Sequence, residues 1–532
     1  RSGTQGLERL FGFRRTEVHP ESGGERYVIG LYSIFGANTE MRGGDAYASP
    51  RLSDAYSDIL KSTSWNQYNH NFNATLLQET AFNSNSAGAF ECWSSHYDRI
   101  RRENEFLRDA AEFGRKFGED WLKIRIAEVR FCRAYAYFML CRVYGGVILR
   151  TEVDGPEQND KARSTEEECW GFIINELKEL APDLPLKWDS DNSGRATQKA
   201  AYGLLSRVAL YAEKWDVAAQ AARDCATAEG NLDLSKNGYA KIFELGINSP
   251  EVLFAVEFKS SVIDHAYDAY VRPSGDTKEL GKQVYSGFVP TSELVDSYEM
   301  AGDGGNFSWE KHGKDPYANR EPRFYATILY NGADWMGRKI ESFVGGKDGY
   351  KAYENAGAAG TTVTGYYLRK YLIDGDKTWV TSGSGQDWIV LRYAEVLLNK
   401  AEALAMENWN KNSAEALQAL NDVRARVGLP ARATADKETF LEYVRHERKV
   451  ELAGEGFRYW DLRRWRLAEK VIDGQNVHGV KISKQSDGSF TYEQVDADGG
   501  HKRIFYDRYY RFAIPLSERS NNSLCTNNDG WI

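Results

Sequence analysis

Two groups of side chains in this 532-residue chain are of a kind that could hold a flat, hydroxylated ligand. The first is Trp65, with Tyr68, Asn69 and Asn71, in the polar stretch STSWNQYNHNFN, which lacks helical periodicity. The second is Tyr285, Trp309, Trp335, Tyr350 and Tyr353, spread through a glycine-rich region. A sugar ring stacks its apolar C–H face on an aromatic plane, while its hydroxyls bond planar polar side chains. Aromatics make up 13% of the chain, with 14 Trp and 31 Tyr, which is rich even after a core has taken its share. For each ring taken singly, burial in a core is an equal alternative. Taken as a set, at least two are expected to touch ligand.

Other chemistries find less support. Glycoside hydrolysis needs two carboxylates across the scissile bond, and among 77 acidic residues some pair always looks suitable. No Gly-x-Ser-x-Gly elbow, His-Glu-x-x-His or phosphate-binding Gly-Lys-Ser/Thr is present. The eight His are scattered, and the six Cys form no Cys-x-x-Cys, so neither a zinc site nor a disulfide framework is expected. Asp189-Ser190-Asp191-Asn192-Ser193-Gly194 imitates the start of an EF-hand loop, but its twelfth position is Ala200, so a helix-capping turn is expected. No cofactor is expected, with a structural calcium outside that frame left open. A net charge of −9 argues against nucleic acid as partner. No apolar stretch reaches the length of a membrane-spanning helix.

The elements that must position these rings read as mostly α. Residues 121–147 carry two apolar stripes, through Leu122, Ile126, Val129 and Tyr137 and through Ile124, Phe131, Phe138 and Cys141. That predicts a helix packed on two sides and ended by Gly145-Gly146. Ser164 and Glu167 suggest a capping box for the next helix, stopped by Pro182. A repeat follows: Tyr202, Ser206, Ala209 then Ala218, Ala222, Cys225, and far downstream Leu397, Ala401, Leu404 then Ala416, Leu420, Val423. The steps within each helix are four then three in both copies, as in tetratricopeptide-like helix pairs whose small side chains let helices approach closely. Two unrelated amphipathic hairpins would give the same spacing. The expected organisation is a helical body over 1–245, a loop-rich insert with short strands at 246–386, further helix pairs of the same body at 387–475, and a tail at 476–532. Within the insert, Glu251–Phe258 and Phe324–Tyr330 read as β-like runs. Segments 195–228 and 388–427 are expected to be antiparallel helix pairs.

Several ordered segments resemble the SusD/RagB family. They include RFCRAYAYFMLCRVYGGV at 130–147, LRYAEVLLNKAEALA at 391–405, ERKVELAGEGFRYWDLRRW at 447–465 and the ending FAIPLSERSNNSLCTNNDGW. The ending departs from the family pattern by lacking two prolines, with Asn522 and Asp529 in their places. The resemblance implies a non-enzymatic, lipid-anchored protein on the outward face of the outer membrane. It would bind oligosaccharide for a SusC-like, TonB-dependent transporter, reaching the membrane only through an anchor that this chain lacks. The opening Arg1-Ser2-Gly3-Thr4 reads as a trimmed start. It also implies ligand aromatics from an early loop and from the insert, favouring Trp65, Tyr285 and Trp309. A peptide-binding member of the family, a glycoside hydrolase and a helical-repeat adaptor are the competing readings. In 447–465 the interleaved Arg and aromatic residues face Glu447, Glu451, Glu455 and Asp461, so ion pairs and cation–π contacts between packed helices are expected there.

Overall fold

The computed structural model describes residues 21–32, 39–42, 50–63, 82–353 and 360–531. Internal contacts divide the chain into two compact units. One comprises Arg1–Asn38, Phe82–Gly230 and Arg511–Ile532; the other comprises Thr39–Ala81 and Asn231–Tyr510. The two expected helix pairs therefore fall in different units, and the unit boundary lies at 230/231 instead of at the composition change near 246.

The first unit is helical: α1 Glu21–Tyr32, α2 Trp93–Phe113, α3 Glu119–Tyr144, α4 Glu166–Leu180, α5 Gln198–Tyr211 and α6 Trp215–Thr227. Helix α3 packs on two sides, as its two stripes require. Val129 joins Val28, Leu31, Phe106 and Ala110 of α1 and α2 in one apolar cluster. Phe138 meets Trp170 of α4 and Tyr211 of α5, with centroids 6.1 and 5.2 Å away. Gly145 ends α3 at φ +77°, a conformation that glycine adopts without steric cost. A Cβ on Gly146 would lie 2.3 Å from the Ser164 carbonyl, so only glycine permits this close return of the chain. That contact also moves the cap of α4. The Ser164 amide is committed to Val147 O, so Thr165 caps instead, in a box with Glu168. The EF-like loop is a single 3-10 turn capped by Asp189. Helices α5 and α6 meet through fully buried Ala209, Ala218 and Ala222. At the tail, Asn522 stands where the family has proline and bonds the Lys161 backbone at both its amide and its carbonyl.

The second unit carries short antiparallel strand pairs. β1 Leu60–Ser62 pairs with β3 Phe288–Pro290, β2 Val252–Val256 with β6 Trp388–Arg392, β4 Ile328–Leu329 with β5 Tyr367–Leu368, and β7 His478–Lys484 with β8 Phe490–Asp496. Two expectations need correction. Residues 324–330 are mainly the helix Pro322–Thr327, because proline at the first helical turn is preorganised for it; only Ile328–Leu329 are strand. Residues 388–392 are the fully buried strand β6, not helix. The unit's helices are α7 Gly238–Leu245, α8 Tyr393–Arg426, α9 Lys437–Glu451 and α10 Arg458–Arg464. Helix α8 is two helices joined at Asn408, whose φ −166° and ψ 95° break the run. The ion pair Lys400–Glu415, 3.3 Å, closes across that turn, and Ala401 and Ala416 are buried between the arms.

A buried ion network sits under the family signature. Arg392 bonds Glu251, Glu451 and Glu455; Arg323 bonds Glu321, Glu447 and Glu451; Arg424 bonds Glu299 and Glu447. Arg463 lies 4.8 Å over Trp460 and Arg464 lies 4.9 Å over Trp465. Ion pairs and cation–π contacts are thus present, but Glu447, Glu451 and Glu455 pair with arginines from outside 447–465; within it Asp461 pairs with Arg448 and Arg464, and the two cation–π contacts are local. Such networks specify one packing more than they stabilise it.

Candidate functional site

The pairing of β1 with β3 organises the candidate site in the second unit, because two of the expected rings, Tyr285 and Trp309, lie beyond its two ends. At one end the Thr63 amide donates to Gly287 O at 2.9 Å, so the chain leaves β1 alongside residues 285–287. Tyr285 is half-buried there and rests on buried Tyr270, centroids 5.1 Å apart and planes 34° off parallel. Gly360 presses on the same place: a Cβ on it would lie 1.7 Å from the Tyr285 carbonyl. On β1 itself, Lys61 is buried 2.8 Å from Asp498 and 4.6 Å from the Tyr353 ring centroid. Burial pushes the Lys61 ammonium down, with Asp498 opposing. For Asp498, burial favours the neutral acid, but Arg503 and Lys61 outweigh it and hold the carboxyl well below its usual range.

The other end of β3 leads to Trp309. Thr291 caps the one-turn helix Ser292–Val295, Asp296 ends it, and Asp296 Oδ2 accepts the Trp309 indole N–H at 3.1 Å. Trp309 is half-buried and opens its own helical turn behind the cap Ser308. Phe307 meets it edge-on at 5.4 Å, and half-buried Tyr492 of β8 lies 5.5 Å away. Burial raises the Asp296 carboxyl to about 6, with the indole bond and Arg320 partly offsetting it.

The remaining expected ligand residues divide clearly. Trp65, Tyr68, Asn69 and Asn71 lie outside the described residues. Trp335, Tyr350 and Tyr353 are corrected to core positions. Trp335 is 0% exposed, and its indole donates to Asp276, which also binds Arg272 and Arg338. A Trp with its N–H satisfied inside a charged network has no face to offer a sugar. Tyr353 is 5% exposed beneath Lys61, with Gly499 against its edge, and Tyr350 is 9% exposed. Tyr285 and Trp309 are the expected rings that the structure leaves half-buried, at opposite ends of β3. Tyr270 and Tyr492, which the sequence reading passed over, pack against them. Alternation in FTYEQVD marked Tyr492 as facing a neighbour, but not which neighbour.

Among the described residues one cluster has the composition of a metal site, and it does not fit a metal. Glu299, His446 and Glu447 bring ligand atoms within 4.8 Å of one another. Arg424 already bonds both carboxylates and Arg432 bonds Glu299, so the place of a cation is taken. Among the described residues no helix is long and apolar enough to cross a membrane.

Residues 250–531, more than half of the chain, match the SusD family profile. Residues 33–210 match a second SusD-like profile, described as starch-binding and associating with the outer membrane. A SusD-like protein of Bacteroides ovatus is 26% identical over 452 residues, covering 80% of this chain and 74% of the relative. The crystal structure of a SusD-like protein from Bacteroides fragilis superposes with a TM-score of 0.82 at 27% identity, covering 96% of this chain and 97% of that one. A second from the same species, described as a SusD-like carbohydrate-binding protein, gives 0.78 at 25% identity, covering 95% and 98%. The ordered motifs, the fold and both profile matches agree, and the chain belongs to the SusD/RagB family.

Proposed function

We propose that this protein is a non-catalytic, outward-facing, lipid-anchored binder of oligosaccharide at the outer membrane, which delivers its ligand to a SusC-like, TonB-dependent transporter. The observation that carries the reading is the Tyr270–Tyr285 pair, a half-buried ring tilted against a buried one. It stands beside Thr63, the described residue that follows β1, whose amide bonds Gly287 O. Family membership supports the role. So do the description of the second profile and the carbohydrate-binding description of the Bacteroides fragilis relative. No cofactor is needed for it.

The state of several carboxylates supports binding without turnover. Asp296, at about 6, has the acidity of a general acid. Its Oδ2 is taken by Trp309 and its Oδ1 is buried, so neither oxygen reaches a bound sugar. Glu251, Glu447, Glu451 and Glu455 are all paired with arginine beneath the surface.

A glycan array followed by calorimetry on the purified protein tests the reading. The expected result is saturable binding of at least one oligosaccharide, which chromatography recovers intact after prolonged incubation. Binding confined to peptides, or release of reducing ends that one carboxylate substitution abolishes, defeats it.

A further inference from the structure

We infer that Asp296 is a positioning residue for the sugar platform, holding the Trp309 ring in its binding plane through the indole N–H. The inference rests on the proposed role of Trp309 in sugar binding. Among the described residues, Trp309 is otherwise steered by aromatic contacts with Phe307 and Tyr492, which restrict the ring without fixing its rotation. The hydrogen bond to Asp296 supplies the missing direction. Asp296 is itself fixed. Its amide bonds Ser292 O at 2.9 Å, and the preceding turn is capped by Thr291, whose hydroxyl donates to Asp58 O at 2.6 Å. The indole is thereby referred back to the β1–β3 pair.

The second observation is an unmade bond. Asp296 Oδ1 is buried and has no hydrogen-bond partner among the described residues. Two cations face it, Arg320 and Lys449, and both bond elsewhere. Arg320 gives Nε to Pro316 O and Nη1 to the Val295 and Tyr298 carbonyls, and its guanidinium stacks 3.6 Å from the Phe307 centroid. Lys449 pairs with Asp58, 3.9 Å away. Leaving one oxygen of a buried carboxylate unbonded costs stability that an apolar residue would avoid. A carboxylate at this position does what an apolar residue cannot, which is to accept the indole proton. Arg320, Lys449, Tyr317 and Tyr366 are the charged and titratable groups that act with Asp296, and His312, which accepts the Ser308 amide in the turn that Trp309 opens, is a further titratable group beside the ring; the pH response of Asp296 is the part that D296N removes. The ionised form accepts the N–H more strongly than the neutral acid. Ring alignment therefore weakens as pH falls through about 6.

Fluorine NMR of ligand-free protein labelled with 5-fluorotryptophan tests the positioning without any glycan. The Trp309 resonance, identified by its absence from W309F, is expected to titrate with a midpoint near 6. D296N should abolish that titration while thermal melting confirms the fold. A Trp309 resonance that is flat from pH 5 to 8, or that titrates unchanged in D296N, overturns the inference. The binding arm uses whichever oligosaccharide the array identifies. D296A should weaken affinity roughly 2- to 13-fold, the worth of one hydrogen bond. On a W309A background it should do nothing further. An undiminished D296A effect in W309A overturns the inference. If W309A binds as tightly as the parent protein, Trp309 is not at the sugar site and the role of Asp296 in binding falls with it; a fluorine titration that persists then locates the failure in the site assignment.

Discussion

Ring by ring, the same composition serves two purposes, and only burial tells them apart. Tyr285 and Trp335 both stand near glycines in one aromatic region, and nothing local in the sequence separates them. The difference lies in partners contributed from far away. Arg272 and Asp276 close over Trp335, whereas Tyr285 stays half-buried against Tyr270. Two substitutions should therefore diverge. Tyr285→Ala should weaken oligosaccharide binding by roughly 5- to 150-fold, taking about 1–3 kcal/mol per stacked ring by analogy with base stacking, and leave the melting temperature nearly unchanged. Trp335→Ala should cost about 3–5 kcal/mol of stability, read by denaturant unfolding, because it empties a packed site and leaves Asp276 short of a donor. Comparable stability losses from both would return Tyr285 to the core.

Helices were legible because their period and their small residues are written locally. Both stripes of α3 and the Ala-lined helix pairs follow from spacing alone. What spacing could not show was where one backbone must give way to another. The shift of the α4 cap came from the Ser164–Val147 bond, and strand β6 came from pairing with β2 across more than a hundred residues. The turn in α8 needed one residue, Asn408. At this scale Gly360 is the informative position. It sits at φ +60°, and any Cβ would collide with the Tyr285 carbonyl. Gly360→Ala should displace the loop, cost about 1 kcal/mol or more of stability, and reduce sugar affinity without touching a single ring. Calorimetry showing unaltered affinity in a folded Gly360→Ala protein would separate this loop from the site.

Over the molecule as a whole, buried charge sets the response to pH. Burial raises Glu299 and Glu451, but their arginine partners prevail, with His446 also acting on Glu299, and both carboxyls are held at about 2, below the ordinary 4.5. Their contribution is present above 4.5 and is lost as pH falls toward 2. Glu321 and Asp54 are raised by burial, to about 7 and about 6, so their stability is full at low pH and is lost as pH rises through those values. Melting temperature should therefore peak between about pH 4.5 and 6 and fall steeply below, because Glu25, Glu176 and Asp461 are also depressed. Glu321→Gln should flatten the neutral side; a profile that is level from pH 3 to 7 would contradict the network. The division of the chain has a further consequence, for synthesis. The first unit draws on Phe82–Gly230 and then waits for Arg511–Ile532, where Phe512 bonds Val143 O and Asn528 bonds Tyr144 O. A ribosome making this protein finishes the whole of the second unit before it releases the segment that completes the first. Until that segment emerges, the exposed end of α3 depends on whatever holds nascent chains apart.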